Sequence, residues 1–253
     1  MSILDDDVTV EKKIDEVAIK EMMRLYLTGK LPAKLTDYVV KASIEQFLQK
    51  RLTDKRYASY DFCYLYFQCN KGKLGGKNVE NSCMHLWGYL ASWGMLRGSS
   101  ALLQCSPAIF VPLINYLDSI NKSCVWDADV DTYTNDKSKI LNVYDSISNI
   151  LETAIGTPAS VILTTKIMLG VFGCVPAFDQ YFTKTFHSLY TRFYKLRKEE
   201  LESIEDFYRK HKSILDSIYI PVVDFNGTQT KYNYKKAKLI DMFGFMMGQQ
   251  IKP

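Results

Sequence analysis

The stretch "TKIMLGVFGCVPAFDQYF", Thr165 to Phe182, decides how the chain is read. It runs apolar, breaks at Gly173-Cys174-Val175-Pro176, and then presents a single carboxylate, Asp179, among Val, Pro, Phe and Tyr. An apolar run closed by glycine and proline, followed by an acid that opens a second periodic run, is the pattern of two helices joined by a tight turn. Working outward, apolar residues recur at intervals of three and four in most other segments. Helices are expected at about 10–28, 36–52, 59–70, from Asn78 through Arg97, 107–120, 137–154, 158–172, 179–194, 198–218 and 232–249. "YIPVVDFNGTQT" (219–230) reads as a short extended segment turning at Asn226-Gly227, and the acidic "WDADVDTYTNDK" (126–137) as a loop. The fold class is all-α, a single helical domain over 1–253, with two lobes packed around a cleft lined by 85–100 and 165–182.

Composition narrows the function classes. The chain has 253 residues, 47% hydrophobic and 24% charged, with a formal net charge of +4. That is enough to bury a sizeable core, and mild basicity permits a nucleic-acid partner without requiring one. The six cysteines occur singly, no stretch approaches a membrane span, and the acidic first residues lack the apolar core of a secretory signal. A cytoplasmic protein with reduced thiols, no membrane contact, no metal and no cofactor is expected. Three histidines without zinc-type spacing argue against a transition-metal site. The 126–137 segment lacks the glycine and terminal glutamate of an EF-hand loop. Phosphate-binding glycine loops and the G-x-S-x-G nucleophile elbow are missing as well.

A second stretch, "HLWGYLASWGMLRGSS" (His85 to Ser100), carries candidate site residues. On one continuous helix His85, Tyr89, Trp93 and Arg97 fall on one side, with Gly88, Ser92 and Gly94 as small neighbours that admit a flat ligand. Aromatic and cationic groups in a row can stack on a base and hold a phosphate. The structural alternative makes Trp93 and Tyr89 core residues and pairs Arg97 with a buried carboxylate such as Asp241. Asp179 has the same double reading: a helix N-cap, or a carboxylate aimed into a cleft to stabilise a developing cation or orient a water.

The segment Ile155 to Phe182 resembles the heart of the helix-hairpin-helix DNA glycosylase superfamily. Gly156-Thr157-Pro158 would occupy the hairpin, Ala159 to Phe172 the helix after it, and Pro176 to Asp179 the catalytic-acid motif. The resemblance implies that Asp179 is the catalytic carboxylate and that backbone N–H groups near Gly156, Thr157 and Ser160 hold a DNA phosphate. Lys166, Lys184 and Ser99 join them as DNA-binding candidates. Tyr89, Trp93 and Tyr181 would wall the base pocket, with His85 or Arg97 reading the base edge. The proline-to-aspartate spacing is one residue longer than in that superfamily, and no lysine directly follows the hairpin, which implies a monofunctional enzyme using water. The three blocks "HLWGYLASWGMLRGSSALLQ", "TKIMLGVFGCVPAFDQYF" and "KAKLIDMFGFMMGQ" together resemble a family of uncharacterised bacterial proteins, which brings no chemistry with it.

Two function classes stay open on these residues. One is a glycosylase acting on a damaged base or on modified phage DNA. The other is a non-catalytic helical module that binds nucleic acid or protein in a bacterial defence or toxin–antitoxin system. A helical ribonuclease of the HEPN type ranks last, since no arginine is followed four to six residues later by histidine.

Overall fold

The structure, a computed structural model, describes residues 35–98, 100–190 and 193–251. The helix expected at 10–28 lies outside these residues. Among them the chain is all-helical apart from one small hairpin. The helices are α1 (Asp37–Leu48), α2 (Ser59–Cys69), α3 (Val79–Ser92), α4 (Val111–Ser119), α5 (Tyr133–Ile155), α6 (Val161–Phe172), α7 (Gln180–Leu189), α8 (Lys198–Lys210) and α9 (Lys212–Ser217). After the strands β1 (Pro221–Val223) and β2 (Gln229–Asn233) comes α10 (Lys236–Gln250).

Helix α6 sits at the centre because its sequence is apolar apart from Thr164, Thr165 and Lys166, which are buried with the rest. Every residue from Leu163 to Phe172 is buried, as expected of a helix apolar nearly all round. Helices α2, α3 and α5 pack against it. Helix α10 is nearly as enclosed, buried from Ala237 through Gly248, and lies against α7 and α1. The closest approach there is at Gly248, where a β-carbon would come within 2.0 Å of the Tyr181 carbonyl oxygen. Only glycine lets the two backbones meet.

Several boundaries differ from the sequence expectation, each for a local reason. The helix expected from 158 begins at Val161, because the Ser160 hydroxyl accepts the Leu163 N–H at 3.1 Å and caps it. The helix expected over 198–218 is two, α8 and α9, divided at His211. The segment 126–137 is more ordered than a loop. It forms 3-10 turns at Cys124–Trp126 and Val130–Thr132 and enters α5 at Tyr133. One of its acids is a structural cap: Asp129 accepts N–H groups from Val130, Lys236 and Ala237 at 2.8, 2.7 and 2.9 Å, tying this segment to the start of α10. The expected turn at Asn226-Gly227 does close the antiparallel hairpin, with Gly227 at φ 82°.

Candidate functional site: a cationic aromatic cleft at the start of helix α7

Asp179 is the N-cap of α7. Its Oδ1 accepts the backbone N–H groups of Tyr181 and Phe182, both at 3.0 Å, so the helix N-terminus fixes one carboxylate oxygen. The other, Oδ2, lies 3.5 Å from Lys166 Nζ. Thirteen residues separate the pair in sequence. The turn between them is held from both sides: Thr165 Oγ1 accepts the Phe178 N–H at 2.9 Å, and Asp241 Oδ1 accepts the Ala177 N–H at 3.0 Å.

Asp179 and Lys166 line a cleft of about 360 Å³ whose other walls include Trp93, Tyr181, Phe245, Arg56 and Arg97. The Phe245 ring meets Trp93 and Tyr181 edge-on, with centroids 5.7 and 5.2 Å apart. Lys166 Nζ stands 5.1 Å from the Trp93 ring centre. Among the described residues neither Arg56 nor Arg97 has a carboxylate within 4.0 Å, so the cleft sets three cations around one acid. Ile162, on the first turn of α6, also lines it. The exposed Gly156-Thr157-Pro158 turn therefore joins α6 close to the cleft's mouth.

Behind the cleft lies a second lysine–aspartate pair. Lys238 Nζ and Asp241 Oδ2 are 2.8 Å apart, and both residues are buried. Lys238 sits among the rings of Tyr60, Phe47 and Trp93 at 4.5, 4.8 and 5.4 Å. A cavity of about 10 Å³, the size that admits one water, is walled by both pairs together with Tyr89 and Trp93. The Trp93 indole N–H is buried with no partner among the described residues. Burial holds the Tyr89 phenol well above its ordinary range, with the charges of Asp241 and Asp179 adding to the effect, so it is neutral here.

The structure brings Asp179, Lys166, Trp93, Tyr181 and Arg97 together in one cleft, keeps Tyr89 on the small cavity behind it, and separates the other candidates. The row of four is broken: α3 ends at Ser92, and Gly94 turns the chain at φ 77°, a conformation glycine adopts without strain. Arg97 then folds back over Gly94, where a β-carbon would meet Arg97 Nε at 2.7 Å. Arg97 does not pair with Asp241, which Lys238 occupies. His85 lines a different groove and stacks on Tyr66 at 3.8 Å, while Tyr89 is buried between the two. Lys166 is 4% exposed, a wall of the cleft instead of a surface phosphate contact. Lys184 donates to the Ile251 carbonyl. The Ser160 side chain serves its own helix, and Ser99 lies outside the described residues.

Arg56, Phe245 and Lys238 escaped the sequence reading, which named Asp241 as a buried carboxylate but gave it the wrong partner. Lys238, Asp241 and Phe245 stand at helical spacing within "KLIDMFGF", which was signal enough to place them on one face. Arg56 carried none. Among the described residues no helix is long and apolar enough to cross a membrane, and no cluster of three or more His, Cys, Asp or Glu could hold a metal. No protein-family model, curated protein or solved structure matches this chain.

Proposed function

We propose that the chain is a DNA glycosylase-like enzyme that hydrolyses the N-glycosidic bond of an extruded, damaged or modified base, with Asp179 as the catalytic carboxylate. The observation that carries this reading is the division of labour on Asp179. Oδ1 is immobilised by two N–H groups, while Oδ2 stands beside Lys166 in an aromatic, cationic cleft. Trp93, Tyr181 and Phe245 supply stacking surface for a base, and Arg56 and Arg97 suit the phosphates flanking it. In the turn before α6 the Gly156 N–H is already taken, donating to the Glu152 carbonyl at 2.8 Å, so only the N–H groups of Thr157 and Ser160 are left to meet a further phosphate.

In this reaction the C1′–N bond breaks, positive charge builds on the sugar, and Asp179 stabilises it. Water adds its hydroxyl to C1′, and its proton leaves with the base. The ion pair in which Lys166 is held favours water over an amine as nucleophile, consistent with a monofunctional enzyme. The test incubates the protein with duplexes carrying uracil, alkylated purines, oxidised guanine, or hydroxymethylated or glucosylated cytosine. Abasic sites are expected from one class with wild type and at least a hundredfold fewer with Asp179→Asn. Borohydride should trap no protein–DNA adduct; an adduct lost in Lys166→Met would replace water with the amine.

A specific observation favours a second reading. Capping and the Lys166 pair together give Asp179 a full structural role, which a non-catalytic nucleic-acid-binding module of a defence system would also use. DNA binding without abasic sites on any of these substrates would select it.

A further inference from the structure

The residues of the His85–Arg97 stretch that the cleft leaves unused form a groove of their own. About 490 Å³ in volume, it runs between α2 and α3. Ser59 and Phe62 line it from α2, His85 and Gly88 from α3, and Phe225 from the tip of the hairpin. Arg56 lines this groove and the Asp179 cleft alike, so the two sites are neighbours across one guanidinium.

Gly88 is the informative residue. It sits inside α3, its φ is not positive, and a β-carbon there would meet nothing within 4 Å. Neither backbone conformation nor packing requires glycine, yet glycine weakens a helix by about 1 kcal/mol relative to alanine. What glycine provides is clearance on the groove floor. Around that clearance stand flat groups: Phe62 and Phe225 with centroids 5.0 Å apart, and the exposed His85 ring stacked on Tyr66. Phe225 is 81% exposed, an unusual position for a large apolar ring.

We infer that this groove binds the nucleotide next to the one held in the Asp179 cleft. Its base lies over Gly88 against Phe62, Phe225 and His85, and the phosphate joining the two nucleotides rests on Arg56. Single-stranded nucleic acid is bound elsewhere by this combination of aromatic platforms and a backbone cation. The inference rests on the nucleic-acid reading of the cleft, and it extends the recognised element from one extruded base to two unstacked nucleotides.

The test measures binding, so it does not depend on catalysis. Fluorescein-labelled dT8 is titrated with wild type, Gly88→Ala, Gly88→Leu and Phe225→Ala, with melting temperatures taken in parallel. Gly88→Leu fills the groove with a strong helix former, so the protein should melt no lower than wild type yet bind dT8 at least tenfold more weakly. Gly88→Ala should melt higher yet bind several-fold more weakly, between wild type and Gly88→Leu, and Phe225→Ala should lose several-fold in affinity. Wild-type affinity in Gly88→Leu would overturn the groove while leaving the cleft reading intact. A wild-type protein that binds neither dT8 nor duplex would overturn both. Gly88-dependent binding without abasic-site formation would keep the groove and remove only the glycosylase activity.

Discussion

Two N–H groups and one ammonium converge on the Asp179 carboxylate, and each can be removed separately. Asparagine keeps a capping oxygen but leaves Lys166, 4% exposed, without a counter-charge. Alanine removes the cap as well. Asp179→Ala should therefore be less stable than Asp179→Asn by about 1 kcal/mol, the usual worth of an N-cap. Breaking one side of a buried pair costs more than removing both, so Asp179→Asn/Lys166→Met should recover part of the loss in Asp179→Asn. Urea denaturation of the three variants checks both statements. Equal stability of the alanine and asparagine variants would mean that the cap contributes nothing. The double variant also separates folding from chemistry: recovered stability without recovered abasic-site formation places Asp179 in the reaction.

At the scale of elements, α7 and α10 are joined through a close backbone approach at Gly248, and α3 carries a glycine, Gly88, beside which a β-carbon would meet nothing within 4 Å. The same substitution should act in opposite directions at the two places. Gly248→Ala drives a methyl group into the Tyr181 carbonyl, which cannot rotate away, and should cost about 3 kcal/mol or more. Gly88→Ala should add about 0.5–1 kcal/mol by helix propensity alone. Thermal denaturation decides, and a neutral Gly248→Ala would show that α7 and α10 separate easily. This contrast also explains what was legible in the sequence. The periodicity of 165–172 revealed a buried helix, and Asn226-Gly227 revealed a turn. Periodicity also carried the His85–Trp93–Arg97 row past Ser92, because the conformation of Gly94 has no periodic signature. The Lys166–Asp179 contact was hidden for a related reason. It crosses an irregular turn whose shape is set by hydrogen bonds that its N–H groups donate to Thr165 and to Asp241, the latter 64 residues beyond the Ala177 it holds. Sequence spacing fixes neighbours within an element and is silent across such a turn.

For the molecule as a whole, the hairpin is fastened to the helices through one fully buried carboxylate. Asp61 on α2 accepts Arg51 Nη1 at 3.0 Å, the Val223 N–H at 3.1 Å and the Tyr234 hydroxyl at 2.6 Å. Burial nevertheless raises its pKa above the ordinary carboxylate value, outweighing the Arg51 charge and the hydrogen bonds that lower it. The sign for stability follows. The folded state binds this proton more tightly than the unfolded chain, so the Asp61 contribution weakens as pH rises through the folded value and strengthens as pH falls toward about 4. Exposed, ion-paired Asp206 and Asp216 shift the other way, their hydrogen bonds to lysines and tyrosines outweighing a slight burial, but solvent screens them and their weight is small. The urea midpoint should therefore hold or rise as pH is lowered from 7 toward the ordinary carboxylate value of about 4, and fall only below it. Replacing the buried pair together, as Asp61→Asn/Arg51→Met, should reduce that limb to the part left by Asp129, whose pKa burial also raises, while the acid-side fall persists. A wild-type midpoint that drops steadily from pH 7 downward would mean that Asp61 is held ionised by Arg51 more strongly than burial opposes it. The tie between hairpin and helices would then strengthen toward alkaline pH, and with it the seat of Phe225 beside the second groove.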